Sequence, residues 1–139
     1  MSARLTVVGN GDATDPAAPN TSLLLHGGRW PTLLLDCGYA IPHALWRCDV
    51  GPNDLDGVWL SHTHADHAFG LPGLLLWMRL AGRNRPLAVL GEEGVLQRAR
   101  SILDLGYPGS FASHKCYPLE FQAIPPGTAG IHGSPTAFG

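Results

Sequence analysis

Ser61-His62-Thr63-His64-Ala65-Asp66-His67 places three imidazoles and one carboxylate within six consecutive positions of a chain that holds seven histidines in all. His62 and His64 follow a strand-like run, residues 57–61. Side chains two apart on an extended segment project to one side, so these two rings can chelate a single ion together. Asp66 and His67 come at the next bend and offer an oxygen and a nitrogen donor beside that ion, as a two-metal site requires. Each residue also has a plainer role. Asp66 can cap the helix that its downstream sequence suggests, and a histidine at a strand end can be a satisfied polar group. Three rings next to a carboxylate favour the metal, and a carboxylate with two oxygens can cap and ligate at once.

Outward from this stretch, residues 4–8 read as a strand closed by the turn Gly9-Asn10-Gly11-Asp12. Residues 21–26 and 32–36 are apolar runs on either side of Gly27-Gly28-Arg29-Trp30-Pro31, the pattern of an antiparallel pair with a loop of hairpin size. Their consecutive leucines predict cover on both faces. Residues 41–47 read as a short helix with Pro42 at an early position, where its missing N–H costs nothing. Residues 65–80 turn helical, and Gly70, Pro72 and Gly73 predict a break into two pieces. A strand is expected over 87–90, a helix over 92–105 with acidic residues in its first turn and Gly106 at its stop, and a last strand over 115–124.

No repeat and no interdomain linker interrupts this pattern, which predicts a single domain over residues 1–139. The stretch Ile131-His132-Gly133-Ser134-Pro135-Thr136-Ala137-Phe138-Gly139 stops inside what reads as an ordered element, so the domain is expected to be incomplete. His132, taken alone in that Gly and Pro-rich stretch, reads as a surface histidine.

An apolar content of 45% with 14% charged residues marks a globular chain. Nine basic against eleven acidic residues give no electrostatic footprint for a long nucleic-acid duplex or an anionic membrane. Cys37, Cys48 and Cys116 are an odd number without paired spacing, which predicts free thiols and a reducing, cytoplasmic setting. Residues 1–8 carry no signal-peptide core, and the longest oily run, residues 74–78, is far below the roughly 20 residues that cross a bilayer. No membrane association is expected.

The run His62-Thr63-His64-Ala65-Asp66-His67 is similar to the H-x-H-x-D-H signature of the metallo-β-lactamase fold superfamily, and Leu33-Leu34-Leu35-Asp36-Cys37-Gly38 resembles that superfamily's first motif. Gly9-Asn10-Gly11-Asp12-Ala13, followed by Asn20-Thr21-Ser22-Leu23-Leu24, resembles the opening of the ribonuclease Z and cyclic phosphodiesterase branch. The resemblance implies an α/β fold, the first half of a four-layer αββα sandwich, with a mixed, mainly antiparallel sheet and helices on one face. It implies that His62, His64 and His132 hold one ion while Asp66 and His67 contribute to a second. Two divalent ions are implied, zinc first, with manganese or iron also suited to these donors. Asp36 would orient ligands by hydrogen bonding, although a strand-end turn role fits it equally well. The superfamily's bridging aspartate and final histidine have no counterpart, because no Asp or His follows His132.

The chemistry so implied is hydrolysis by a metal-activated water, with Asp66 orienting the nucleophile and able to take its proton. The branch resemblance points to phosphodiesters, of RNA-end or cyclic-nucleotide type. A lactone or ester hydrolase on the same scaffold stays open, as does a half domain that binds metal or a partner without turnover. An apolar sheet face left by the missing half predicts self-association or a complementing second-half chain.

Overall fold

Leucine runs and helix breakers divide the chain into strands and helices that alternate after the first three strands. The structure, a computed structural model, describes residues 2–127. In chain order it holds β1 (Arg4–Gly9), β2 (Ser22–His26), β3 (Leu33–Leu35), α1 (Ile41–Trp46), β4 (Gly57–Trp59), α2 (Ala65–Ala68), α3 (Leu71–Leu80), β5 (Leu87–Gly91), α4 (Glu93–Gly106) and β6 (Leu119–Ala123). The break expected inside 65–80 falls at Phe69-Gly70, and Pro72 sits in the first turn of α3 where it needs no N–H partner. α4 begins with Glu93 in its first turn, as the macrodipole favours. Its buried residues Val95, Leu96, Ala99 and Leu103 form one apolar stripe.

All six strands join one sheet, in the order β1-β2-β3-β4-β5-β6. β1, β2 and β3 pair antiparallel, with Leu23, Leu24 and Leu25 opposite Leu35, Leu34 and Leu33. The mixed sheet and its helices are as expected, but the balance of pairings is corrected: β3-β4, β4-β5 and β5-β6 are parallel, three pairings against two antiparallel. The reason lies in the connections. The connections within β1 to β3, residues 10–21 and 27–32, contain no helix, whereas a helical crossover follows each of β3, β4 and β5 and returns the next strand in the same direction. Right-handed crossovers laid down in one direction put every helix on the same face.

That face carries Leu24, Leu34, Val58 and Val89, which share the main core with Ile41, Leu45, Leu71, Leu74, Leu75, Met78, Leu96 and Ala99. The opposite face is built by the alternate residues. Leu5, Leu25, Leu33 and Ala88 stand in one cross-strand row, and Val7, Leu23, Leu35, Trp59 and Leu90 in the next. Leu33, Ala88 and Leu90 are shielded by their neighbours, Trp59 and Leu35 among them, while Leu5 and Val7 are 59% and 60% exposed. Among the described residues no helix covers this second face, so the leucine runs are double-sided in composition but packed by helices on one side.

The loop after α3 is tied down by a buried arginine. Arg83 donates to the carbonyls of Pro52, Leu55, Arg85 and Pro86 at 2.6 to 2.9 Å, and its guanidinium lies 5.2 Å from the Tyr117 ring centre. Burial lowers its pKa from the usual arginine value. No described helix is long and apolar enough to cross a membrane.

Candidate metal centre

β3 and β4 run parallel with Leu35 beside Trp59, so the residues just past their carboxyl ends meet. The ladder continues one step further, Asp36 N–H donating to Trp59 O at 2.8 Å and Leu60 N–H to Leu90 O at 2.8 Å. Asp36 then bends with φ +65°, a left-handed conformation that Asp tolerates better than most residues with a Cβ. Its carboxylate is buried and saturated. Oδ1 accepts the Ser61 N–H at 2.7 Å, while Oδ2 accepts the Ser61 hydroxyl at 2.7 Å and the His67 Nδ1–H at 2.8 Å. One carboxylate thus grips both ends of the histidine motif.

His67 arrives there because α2 packs directly on residues 36–38. Cys37 N–H donates to His67 O at 2.8 Å, and Gly70 N–H returns to Cys37 O at 2.9 Å. A Cβ on Gly38 would lie 2.6 Å from Asn20 Oδ1 and nearer still to the Asp66 carbonyl oxygen, so only glycine permits this approach. Asn20 is buried and braces the same corner, accepting from Ala40 N–H at 3.1 Å and donating to Asp12 O at 3.3 Å. Cys37 is fully buried in it, and desolvation, reinforced by the Asp36 charge, pushes its thiol far above the ordinary range.

The hydrogen-bond network assigns the imidazole tautomers. The single Ser61 hydroxyl proton goes to Asp36, so the Ser61 oxygen accepts from His62 Nδ1–H at 2.9 Å, which leaves His62 Nε2 bare. A neutral His67, donating to Asp36 through Nδ1, likewise has a bare Nε2. That Nε2 faces Asp66 Oδ2 at 3.2 Å. His62 Nε2 and His64 Nδ1 lie 3.1 Å apart. Donors about 2.0–2.1 Å from a tetrahedral zinc ion sit roughly 3.3 Å from one another, so both spacings suit neighbouring ligands of one ion. The rings of His62 and His67 are 4.1 Å apart between centres, which brings the two pairs side by side.

Among the described residues no three His, Cys, Asp or Glu side chains converge as the ligands of a single ion would. The donors form two pairs, His62 with His64 and Asp66 with His67. A third donor for the first pair is the role that the resemblance gives His132, which lies outside the described residues. Asp66 does not cap a helix: it sits in the first turn of α2, whose N-cap is His64, and no side chain makes a capping bond there. Sequence reasoning assigned no role to Ser61 or Asn20. Ser61 stood next to the motif and could have been suspected from that position alone, whereas Asn20 is 16 positions before Asp36 and nothing local marks it as buried.

Residues 3–100 match the family described as anti-Pycsar protein Apyc1. Ribonuclease BN of Citrobacter koseri is 39% identical over 103 residues, 74% of this chain and 30% of that protein. Ribonuclease Z of Methanococcus maripaludis is 35% identical over 107 residues, 75% of this chain and 33% of that protein. The chain therefore spans about a third of the length of these curated relatives. Among solved structures, human tRNase Z, short form, superposes with a TM-score of 0.68 at 22% identity, covering 86% of this chain and 43% of that one. The metallo-beta-lactamase fold protein YhfI of Bacillus subtilis gives 0.70 at 23% identity over 94% of this chain and 48% of that one. At such identities the structural likeness is one of fold. With strand order, motif placement and the match over residues 3–100 in agreement, this chain belongs to the anti-Pycsar protein Apyc1 family, within the metallo-β-lactamase fold superfamily.

Proposed function

We propose that residues 1–139 form one domain carrying the first-half ligand set of a metal-dependent hydrolase that cleaves phosphodiesters, RNA among them. The single observation that carries this reading is the Asp36 carboxylate, bonded at once to Ser61, just before the motif, and to His67, at its end. In this reading His62 and His64, with His132, hold one divalent ion, and Asp66 with His67 hold the other. Zinc is the first choice and manganese or iron the alternatives. Bound there, such cations supply positive charge for developing phosphorane oxygens and lower the pKa of water toward about 7.

The chain's own residues do the rest. Ser61 holds the His62 ring and Asp36 the His67 ring, so each keeps its Nε2 lone pair turned into the site at no further cost in ordering. Asp66 orients the attacking water and accepts its proton. The names ribonuclease BN and ribonuclease Z of the relatives favour RNA phosphodiesters as substrates. The bridging aspartate and final histidine that the resemblance implies have no counterpart among residues 1–139. The described thiols of Cys37, Cys48 and Cys116 are free, which suits the cytoplasm.

Hydrolysis assays on protein loaded with zinc or manganese test this directly, with bis(p-nitrophenyl) phosphate compared against a lactone. The phosphodiester is expected to turn over, and Asp66→Asn to lower the rate by about 10²–10⁴-fold, the usual contribution of a positioned proton acceptor. Turnover of the lactone alone contradicts the reading. Metal uptake with turnover of neither substrate favours a binding half domain.

The uncovered sheet face has its own consequence. Leu5, Val7, Leu25, Leu35 and Trp59 lie on it together, and an apolar patch of this kind drives association. Light scattering of the isolated chain is expected to show a mass that rises with concentration, and Trp59→Lys to suppress the rise. A monodisperse monomer at all concentrations contradicts it.

A further inference from the structure

A cavity of about 510 Å³ lies between the second half of α4, the loop over residues 107–118 and the start of β6. It stands away from the histidine motif. Leu119 is level with Leu87 at the start of β5, whereas the motif follows the far end of β4, where Leu60 N–H bonds to Leu90 O. α4 runs back along the sheet between β5 and β6, so its last turns come down at the Leu119 end.

The lining is apolar apart from a few groups. Leu103, Phe111, Leu119 and Phe121 contribute to it, and the hydroxyl of Tyr117 is already spent on Leu75 O at 3.2 Å. Arg100 and Asp104 are its only charged residues among those described. They stand four apart on α4, a spacing at which opposite charges usually meet, yet they form no ion pair with each other. Arg100 instead lies over the Phe121 ring, 4.3 Å from its centre. Stacking engages the flat face of a guanidinium and leaves its N–H edge open to a carboxylate. Among the described residues neither Arg100 nor Asp104 has an ion pair or a side-chain hydrogen bond.

The volume lies in the range of small-molecule sites, where an apolar lining gives bulk contact and a few polar groups fix orientation. Two opposite charges held apart beside an apolar hollow select a ligand that carries both signs and an apolar body. A singly charged ligand answers only one of them. An α-amino acid bears its carboxylate and ammonium on one carbon, and an aromatic side chain supplies the body. We propose that this cavity binds a free aromatic α-amino acid, its carboxylate on Arg100, its ammonium on Asp104 and its ring against Phe111 and Phe121. No residue of the histidine motif takes part, so the site stands independently of the hydrolase reading.

Equilibrium dialysis of radiolabelled phenylalanine against the chain tests this. Saturable binding is expected, with unlabelled phenylalanine competing better than phenethylamine or 3-phenylpropionate, which each lack one charge, and better than alanine, which lacks the ring. Arg100→Met and Asp104→Asn should each weaken binding about 3- to 10-fold, between the scale of an exposed ion pair and that of a charge-assisted hydrogen bond. Both side chains are exposed, so both variants should keep the wild-type melting temperature. No saturable binding by the wild type, competition by either singly charged analogue equal to that by phenylalanine, or unchanged affinity in both variants overturns the site.

Discussion

Gly38→Ala is expected to yield a chain that does not reach the native fold. The added Cβ would stand 2.6 Å from both Asn20 Oδ1 and the Asp66 carbonyl carbon, and closer to the Asp66 oxygen. Two of those three atoms are backbone, and they belong to α2, which is already fixed by hydrogen bonds from Cys37 N–H and to Cys37 O. Neither side can yield without parting the helix from the strand end. The cost therefore exceeds the 4 kcal/mol or so that few single substitutions reach. Gly70→Ala makes the reciprocal clash with the Gly38 carbonyl and should fail in the same way. Gly73→Ala is the control: nothing lies within 4 Å of its Cβ, and replacing a helix-interior glycine stabilises by about 0.5–1 kcal/mol. Urea unfolding followed by near-ultraviolet circular dichroism distinguishes them, and a Gly38→Ala midpoint equal to wild type would contradict the packing described.

Arg83→Ala is expected to cost about 3 kcal/mol or more. Arg83 is 6% exposed, and its guanidinium satisfies four carbonyl oxygens from two separate stretches, residues 52–55 and 85–86. Alanine would strand buried acceptors at about 1–3 kcal/mol for each that water cannot reach, and would open a void beside Tyr117. Arg83→Lys should restore only part, because an ammonium cannot reproduce the planar fork. The neighbouring Arg85 offers a contrast. Its Asp56 partner lies at 2.5 Å, yet half the arginine side chain is exposed, so Arg85→Ala should cost well under half as much. Equal midpoints for the two alanine variants would refute this difference.

The sequence pattern made much of this architecture readable, for reasons that differ by element. Local chemistry located the helix break at Gly70 and Pro72, the acidic start of α4 and the leucine strands, because each depends on residues within one turn or one pleat. The direction of strand pairing depends on how long crossovers return the chain, and so three parallel pairings were not legible in residues that suit either kind. Arg83 escaped for a related reason. Gly82-Arg83-Asn84-Arg85-Pro86 has the composition of a solvated turn, and only the approach of residues 52–55 buries it. At the site, the His62 to His67 cluster was plain from spacing, whereas Asp36 gains its meaning from a left-handed bend and a parallel neighbour that no local pattern encodes.

The account turns on whether the two donor pairs hold divalent cations. Zinc titration of chelator-stripped protein, read by isothermal calorimetry together with metal analysis after dialysis, addresses this with His64→Ala and Asp36→Asn alongside the wild type. The account predicts saturable zinc binding by the wild type, loss of retained metal in His64→Ala, and affinity lower by about 10- to 100-fold in Asp36→Asn, which keeps the bend but weakens the hold on His67. Zinc binding of equal strength in all three folded proteins, or none in the wild type, would contradict it.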